Sequence, residues 1–160
     1  MPVVYANLGS NIGDREELIN KALRLIEKEF GTIKKSNMVE SDPWGFDSTF
    51  LFLNIGISFI SDENPFEILR KLQSIEKSIS DSPHRDDKGN YQDREIDIDI
   101  IAIDDMVMDT PELILPHPRM RCRKFVIKPM AELAPSWRHP ISGERINEML
   151  DKIEKSQISE

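Results

Sequence analysis

The chain has 160 residues, 21 Lys and Arg against 29 Asp and Glu, a net charge of −8 and one cysteine, Cys122. That length suits one domain, 1–160, with a core of its own, and 39% hydrophobic with 31% charged residues is globular rather than disordered composition. A lone cysteine excludes an internal disulfide and a thiolate metal cluster, and the acidic balance argues against a nucleic-acid binder.

In chain order, Val3 to Leu8 reads as a short apolar strand ended by Gly9-Ser10-Asn11. Asp14 with Glu17 makes a capping-box-like start to a helix whose stripe is Leu18, Ala22, Leu23, Leu25 and Ile26, with Gly31 ending it. Thr32 to Ser41 predicts a second strand, Asp42 to Phe46 a loop and Phe50 to Ile60 a third strand. Asn64-Pro65 opens a second helix running to about Ile79. Ser80 to Asp93 is a polar loop, expected to act as a mobile lid, and Glu95 to Ile103 is a fourth strand. Beyond it six prolines predict turns and short helices, with Glu144 to Lys155 a final helix. The order β-α-β-β-α-β is the split, ferredoxin-like pattern of an α+β sandwich with an antiparallel sheet and a C-terminal extension. No basic-then-apolar leader and no ~18-residue apolar run stands out, so a cytoplasmic location without membrane contact is expected.

Charge is unevenly spread. Between Asp81 and Asp109 stand ten acids and three Lys or Arg, whereas His117 to Lys128 carries Arg119, Arg121, Arg123, Lys124 and Lys128 without an acid. An acidic segment beside a basic one can hold a metal and the polyanion it bridges; two solvated faces of opposite charge are the plainer alternative.

The sharpest local signal is Arg94-Glu95-Ile96-Asp97-Ile98-Asp99-Ile100. Strand residues two apart share a face, ~6.6–6.8 Å between Cα atoms, so the isoleucines point to the core and both aspartates point away. Like charges so placed repel unless a cation sits between them. Hard oxygen ligands favour Mg²⁺ over zinc. A charged edge strand is the alternative. Glu76 is a second anomaly, because at ~100° per residue it falls inside the apolar stripe Ile68, Leu69, Leu72, Ile75, Ile79, with Gln73 at its margin. A carboxylate there must be paired or open onto a cavity, unless it escapes to solvent at the helix end.

Phe52 and Asn54 share a strand face, placing an amide among aromatic rings, which suits a flat heterocycle although core packing also uses such rings. The loop His117-Pro118-Arg119-Met120-Arg121-Cys122-Arg123 offers arginines for phosphate oxygens and a histidine to donate to a leaving phosphate. Gly9 to Gly13 lacks a phosphate-loop lysine and is read as a turn and a cap.

Together these clusters resemble one family, the 6-hydroxymethyl-7,8-dihydropterin pyrophosphokinases of folate biosynthesis. The residues carrying the resemblance are Leu8-Gly9-Ser10-Asn11, Pro43-Trp44-Gly45 with Phe52-Leu53-Asn54, Gln73 with Glu76, Arg94-x-x-Asp97-x-Asp99-Ile100, and Pro116-His117 with Arg123 and Phe125. The resemblance implies a Mg-dependent transfer of pyrophosphate from ATP to the pterin's hydroxymethyl oxygen, releasing AMP. It implies two Mg²⁺ ions at Asp97 and Asp99, and triphosphate contacts from Arg94, His117 and Arg123, which with both aspartates form the catalytic set. Phe52 and Phe125 would sandwich the pterin, Asn54 would bond its edge, and Ser41, Asp42 and Trp44 would add contacts. Gln73, Glu76, Arg85, Tyr91 and Ile100 fall on the ATP side. Small-molecule substrates only and a monomeric state are the matching expectations. The sequence departs from the family at Gln92-Asp93, where Gly-Pro is usual, at Tyr91 in place of tryptophan, and at Glu112 and Pro118. Two readings compete with this one: a two-metal phosphoesterase, which needs a water nucleophile and no aromatic sandwich, and a non-catalytic binding module, which leaves the paired aspartates unexplained.

Overall fold

The computed structural model describes residues 2–42, 51–80 and 95–158. β1 (Val3–Ser10), β4 (Phe52–Ile60) and β5 (Asp97–Ile103) form the heart of an antiparallel sheet of order β2-β4-β1-β5, where β2 is Lys34–Lys35; β3 (Val39–Ser41) also pairs with β4. Two helices, α1 (Arg15–Phe30) and α2 (Pro65–Ile79), cover one face. Both start as the sequence predicts: the Glu17 amide donates to Asp14 Oδ1 at 3.2 Å and the Phe66 amide to Asn64 Oδ1 at 2.9 Å. Lys71 on α2 ties them together through Glu29 at 2.9 Å.

Period-two alternation divides the sheet. Val4, Ala6, Leu8, Ile55, Ile57 and Ile98 turn to α1 and α2 and are buried. Their neighbours face the other way, where α3 (Lys124–Leu133) and α4 (Ile146–Ile158) cover only part of the surface, packing on Ile101 and Ala102. The tail is anchored where the Trp137 indole donates to the Asp104 carbonyl at 2.9 Å, while Asp104 Oδ1 accepts from the Val3 amide at 2.9 Å. Two short strands, β6 (Met108–Asp109) and β7 (Ile114–Leu115), make a hairpin beside β5.

Three sequence expectations need correction. The expected strand from Thr32 to Ser41 is two strands, because Ser36 breaks away from regular pairing and uses both its amide and its hydroxyl on Gly56. The first strand continues through Gly9 and Ser10 instead of turning there, since Gly9 pairs with Asn54 on one side and Asp97 on the other. In α1 the buried residues are Ile19, Ala22, Leu23 and Ile26, with Leu18 and Leu25 only half-buried. The proline-rich tail holds turns and short helices as expected, among them the ten-residue α3 with Pro129 inside it.

Candidate active site

Among the described residues β5 is an edge strand, paired with β1 alone. An edge strand leaves backbone donors and acceptors open on its outer side. Here Glu76 on α2 takes one of them: the Ile98 amide donates to Glu76 Oε2 at 2.8 Å. The carboxylate inside the apolar stripe is thus explained by pairing, not by escape to solvent. Farther along, the His117 amide donates to the Ile101 carbonyl at 2.8 Å. Because the Ile98 N–H points away from β1, alternation aims the polar groups of Ile100 outward as well. They open into a pocket of about 440 Å³.

That pocket gathers Gln73, Glu76, Asp97, Asp99, Ile100 and His117, which the sequence places up to 44 positions apart. Gln73 and Glu76, three apart on α2, share a helix face. Asp97 and Asp99 are half-buried and project on the face opposite the buried Ile98 and Ile100. The far wall comes from the hairpin: Pro111, Leu113 and Ile114, with Leu69 from α2, supply an apolar end. Sequence reasoning missed this wall; its signal was an apolar Leu-Ile-Leu run bracketed by Pro111 and Pro116.

His117 follows a cis Leu115–Pro116 peptide bond. Its Nδ1 accepts from the Arg119 amide at 3.1 Å, so the neutral ring carries its proton on Nε2. Burial, with Arg123 and Arg119 nearby, pushes its pKa down to about 4, and Asp97 pulls weakly the other way. Arg123, just before α3, is shifted down by burial, opposed chiefly by Asp99. Its guanidinium lies 5.8 Å from the Phe125 ring centre.

A second corner lies across Gly9. A Cβ on Gly9 would stand 3.0 Å from Asn54 Oδ1 and 3.3 Å from the Phe52 ring, so glycine there keeps this corner of the face open. Asn54 is 2% exposed. Its Nδ2 donates to the Val39 carbonyl at 3.2 Å and to Ser41 Oγ at 2.8 Å. Both amide hydrogens are therefore engaged, and the oxygen remains as the acceptor, a narrower role than the sequence suggests. Asp42 is exposed at the end of β3, and Phe125 is half-buried at the start of α3. Trp44, Arg85, Tyr91 and Arg94, with the expected lid from Ser80 to Asp93 apart from Ser80 itself, lie outside the described residues.

Among the described residues no group of three or more His, Cys, Asp and Glu side chains gathers as a metal cage. Two carboxylates without a cage suit Mg²⁺, which is held through one or two carboxylates plus substrate phosphates and water. No described helix is long and apolar enough to cross a membrane.

An antiparallel split-βαβ sheet with a polar pocket on its edge strand and a separate aromatic corner on the same sheet defines a class: α+β domains of ferredoxin-like fold with a pocket of small-molecule size. The comparisons narrow it. A family model for 7,8-dihydro-6-hydroxymethylpterin-pyrophosphokinase matches residues 5–135, and the chain belongs to that family of folate-biosynthesis transferases. It is 40% identical over 142 residues to a 2-amino-4-hydroxy-6-hydroxymethyldihydropteridine pyrophosphokinase of Porphyromonas gingivalis, covering 88% of this chain and 95% of the relative. The corresponding Aquifex aeolicus protein is 36% identical over 148 residues, covering 92% and 90%. In fold the chain resembles the Plasmodium falciparum HPPK-DHPS structure with pteroate, at TM-score 0.77 and 16% identity. It spans 99% of this chain and 44% of that longer one.

Proposed function

We propose that this chain carries out its family's reaction by holding ATP in the pocket beside β5 and 6-hydroxymethyl-7,8-dihydropterin in the corner beside Gly9. The pyrophosphoryl group passes from ATP to the pterin's hydroxymethyl oxygen and AMP is released. The observation that carries this division is the register across Gly9, whose neighbours are Asn54 on β4 and Asp97 on β5. One strand spacing, ~4.8 Å, separates each from the glycine, so two ligands held at these corners meet above it.

On the nucleotide side, the outward polar groups of Ile100 read the edge of adenine between the apolar walls, and Gln73 bonds the nucleotide. Glu76 keeps the Ile98 amide engaged, leaving Ile100 to the base. Arg123 and His117 hold the triphosphate, joined in this reading by Arg94, Arg85 and Tyr91. His117 enters with its Nε2 proton available to a phosphate oxygen, which is a donor role open to the neutral ring. Asp97 and Asp99 would hold two Mg²⁺ ions. Magnesium, when bound, offsets charge on the phosphate oxygens during transfer. On the pterin side, Phe52 and Phe125 stack on the ring, Asn54 Oδ1 accepts from its edge, and Ser41, Asp42 and Trp44 complete the rim. Positioning and charge neutralisation carry the chemistry. The chain acts as one domain and a monomer.

Calorimetry with the pterin and a non-hydrolysable ATP analogue, with and without Mg²⁺, tests this reading. Expected are two separate sites, with nucleotide binding dependent on Mg²⁺. Displacement of the pterin by the analogue would contradict the two-corner arrangement.

A further inference from the structure

Asn7 is a buried amide in the middle of β1 that the reaction as described does not use. It is 7% exposed. Its register partners are Gly56 on β4 and Asp99 on β5, so it sits on the site face, between the aspartate strand and the strand bearing Phe52 and Asn54. A buried primary amide is costly unless its hydrogens find acceptors. With its nitrogen turned toward them, the Asn7 side chain donates to the Ile55 carbonyl at 3.2 Å and to the Phe125 carbonyl at 3.3 Å.

The second acceptor is the informative one. In an α-helix the carbonyl of residue i accepts from the amide of residue i+4. The residue four after Phe125 is Pro129, inside α3, and proline has no amide hydrogen to give. The helix therefore leaves the Phe125 carbonyl without its usual i+4 donor, and the Asn7 amide reaches it from the sheet. Gly56 completes the fit: a Cβ there would stand 2.7 Å from Pro129 Cβ, so α3 rests directly on the sheet at this point.

We infer that Asn7 is a positioning residue: it replaces the donor Pro129 cannot supply, ties the first turn of α3 to β1, and so fixes the Phe125 ring over the pterin corner. The inference rests on the assignment of Phe125 to the pterin site. Asn7 does not touch the pterin; it acts through the Phe125 backbone.

The test is titration of the full chain with 6-hydroxymethyl-7,8-dihydropterin and, separately, with a non-hydrolysable ATP analogue, for Asn7→Ala, Phe125→Ala, the double variant, and Asn7→Ala combined with Pro129→Ala. Asn7→Ala is expected to weaken pterin binding about fivefold, the worth of one intramolecular hydrogen bond, and to leave the nucleotide affinity within about twofold. In the Phe125→Ala background, Asn7→Ala should add nothing, because residues acting as one unit are not additive. Pro129→Ala restores an amide at the fourth position and should recover most of the lost pterin affinity, a rescue that a merely structural role does not produce. Asn7→Ser, with a hydroxyl too short to span both carbonyls, is expected to behave as Asn7→Ala and serves where the alanine variant does not fold. Unchanged pterin affinity in both Asn7 variants, full additivity with Phe125→Ala, or no recovery on adding Pro129→Ala would each overturn the inference. Unchanged pterin affinity in Phe125→Ala itself would instead overturn the pterin-site assignment on which the inference stands.

Discussion

Consider the residues of β1 and β5 in alternate order. Ala6, Leu8, Ile98 and Ile100 lie beneath α1 and α2, at most 7% exposed. Between them stand Asn7, Gly9, Asp97 and Asp99 on the opposite face, none of them a hydrocarbon side chain. The same backbone thus presents a dry face that holds the fold and a polar face on which the proposed ligand corners lie. Strand geometry makes the division strict, because a side chain cannot reach the face its neighbours occupy. What differs between the faces is what a substitution should damage.

The largest expected effects set the two faces directly against each other. Asp97→Ala or Asp99→Ala should lower turnover by about 10²–10³-fold, the scale for removing one transition-state stabiliser. Neither should cost the stability of a core truncation, since the attraction to Arg123 that is lost is offset by relief of the repulsion between carboxylates on one strand face. Leu8→Ala, one strand away, should do the reverse, costing ~2–5 kcal/mol of stability while folded molecules keep their ligand affinities. Paired measurements of turnover and urea midpoint check this. Near-normal turnover in either aspartate variant at saturating Mg²⁺ would falsify their assignment.

A smaller effect divides the polar face itself. Phe52→Ala should weaken pterin binding by ~1–3 kcal/mol, judging by base–aromatic stacking, with little change for the nucleotide. Titration with each ligand separately reads it, and a larger loss for the nucleotide would show that the two corners have been exchanged.

Gly56→Ala blurs the comparison in an instructive way. It lies on the polar face, yet its new methyl would collide with Pro129, and overpacking of this kind costs ~1–3 kcal/mol. Both the urea midpoint and pterin affinity should fall, because α3 carries Phe125. Thermal and ligand titrations of one preparation separate the two losses.

The smallest effect is a pH dependence. His117 titrates near 4 in the folded chain, below its ordinary 6.5. Between those values the unfolded chain binds a proton that the folded chain does not, so stability is full above pH ~6.5 and falls as pH drops toward 4. His139, shifted down by burial, acts in the same sense. His117→Gln should flatten part of this slope, read as the difference in urea midpoints at pH 7 and pH 5 between variant and parent.

Much of this was legible in the sequence because local chemistry and global fold agree there. The Asp-Ile alternation could satisfy only a strand with one dry face, and Asp14 and Asn64 mark helix starts that their hydrogen bonds bear out. Glu76 was visible as misplaced, but its partner was not, because the Ile98 amide lies on another element. The failures share a cause in long-range contact. Six prolines after Asp109 suggest turns and short helices, but not that α3 carries Pro129 inside it, where the sheet offers a glycine to receive the ring and an amide to replace the missing donor. Gly9 reads locally as a turn, whereas its bare Cα makes room for Asn54 and Phe52 from another strand. The hairpin wall at Leu113 and Ile114 is too short for any periodicity to announce it.

The most direct test of the account follows phosphorus through one turnover. The chain, ATP, Mg²⁺ and 6-hydroxymethyl-7,8-dihydropterin are combined and the products are read by phosphorus NMR. The account predicts AMP and a pterin diphosphate in equal amounts, with both formed at least about 10²-fold more slowly by Asp97→Ala. ADP with a pterin monophosphate, or free phosphate released from ATP without any pterin ester, would contradict it.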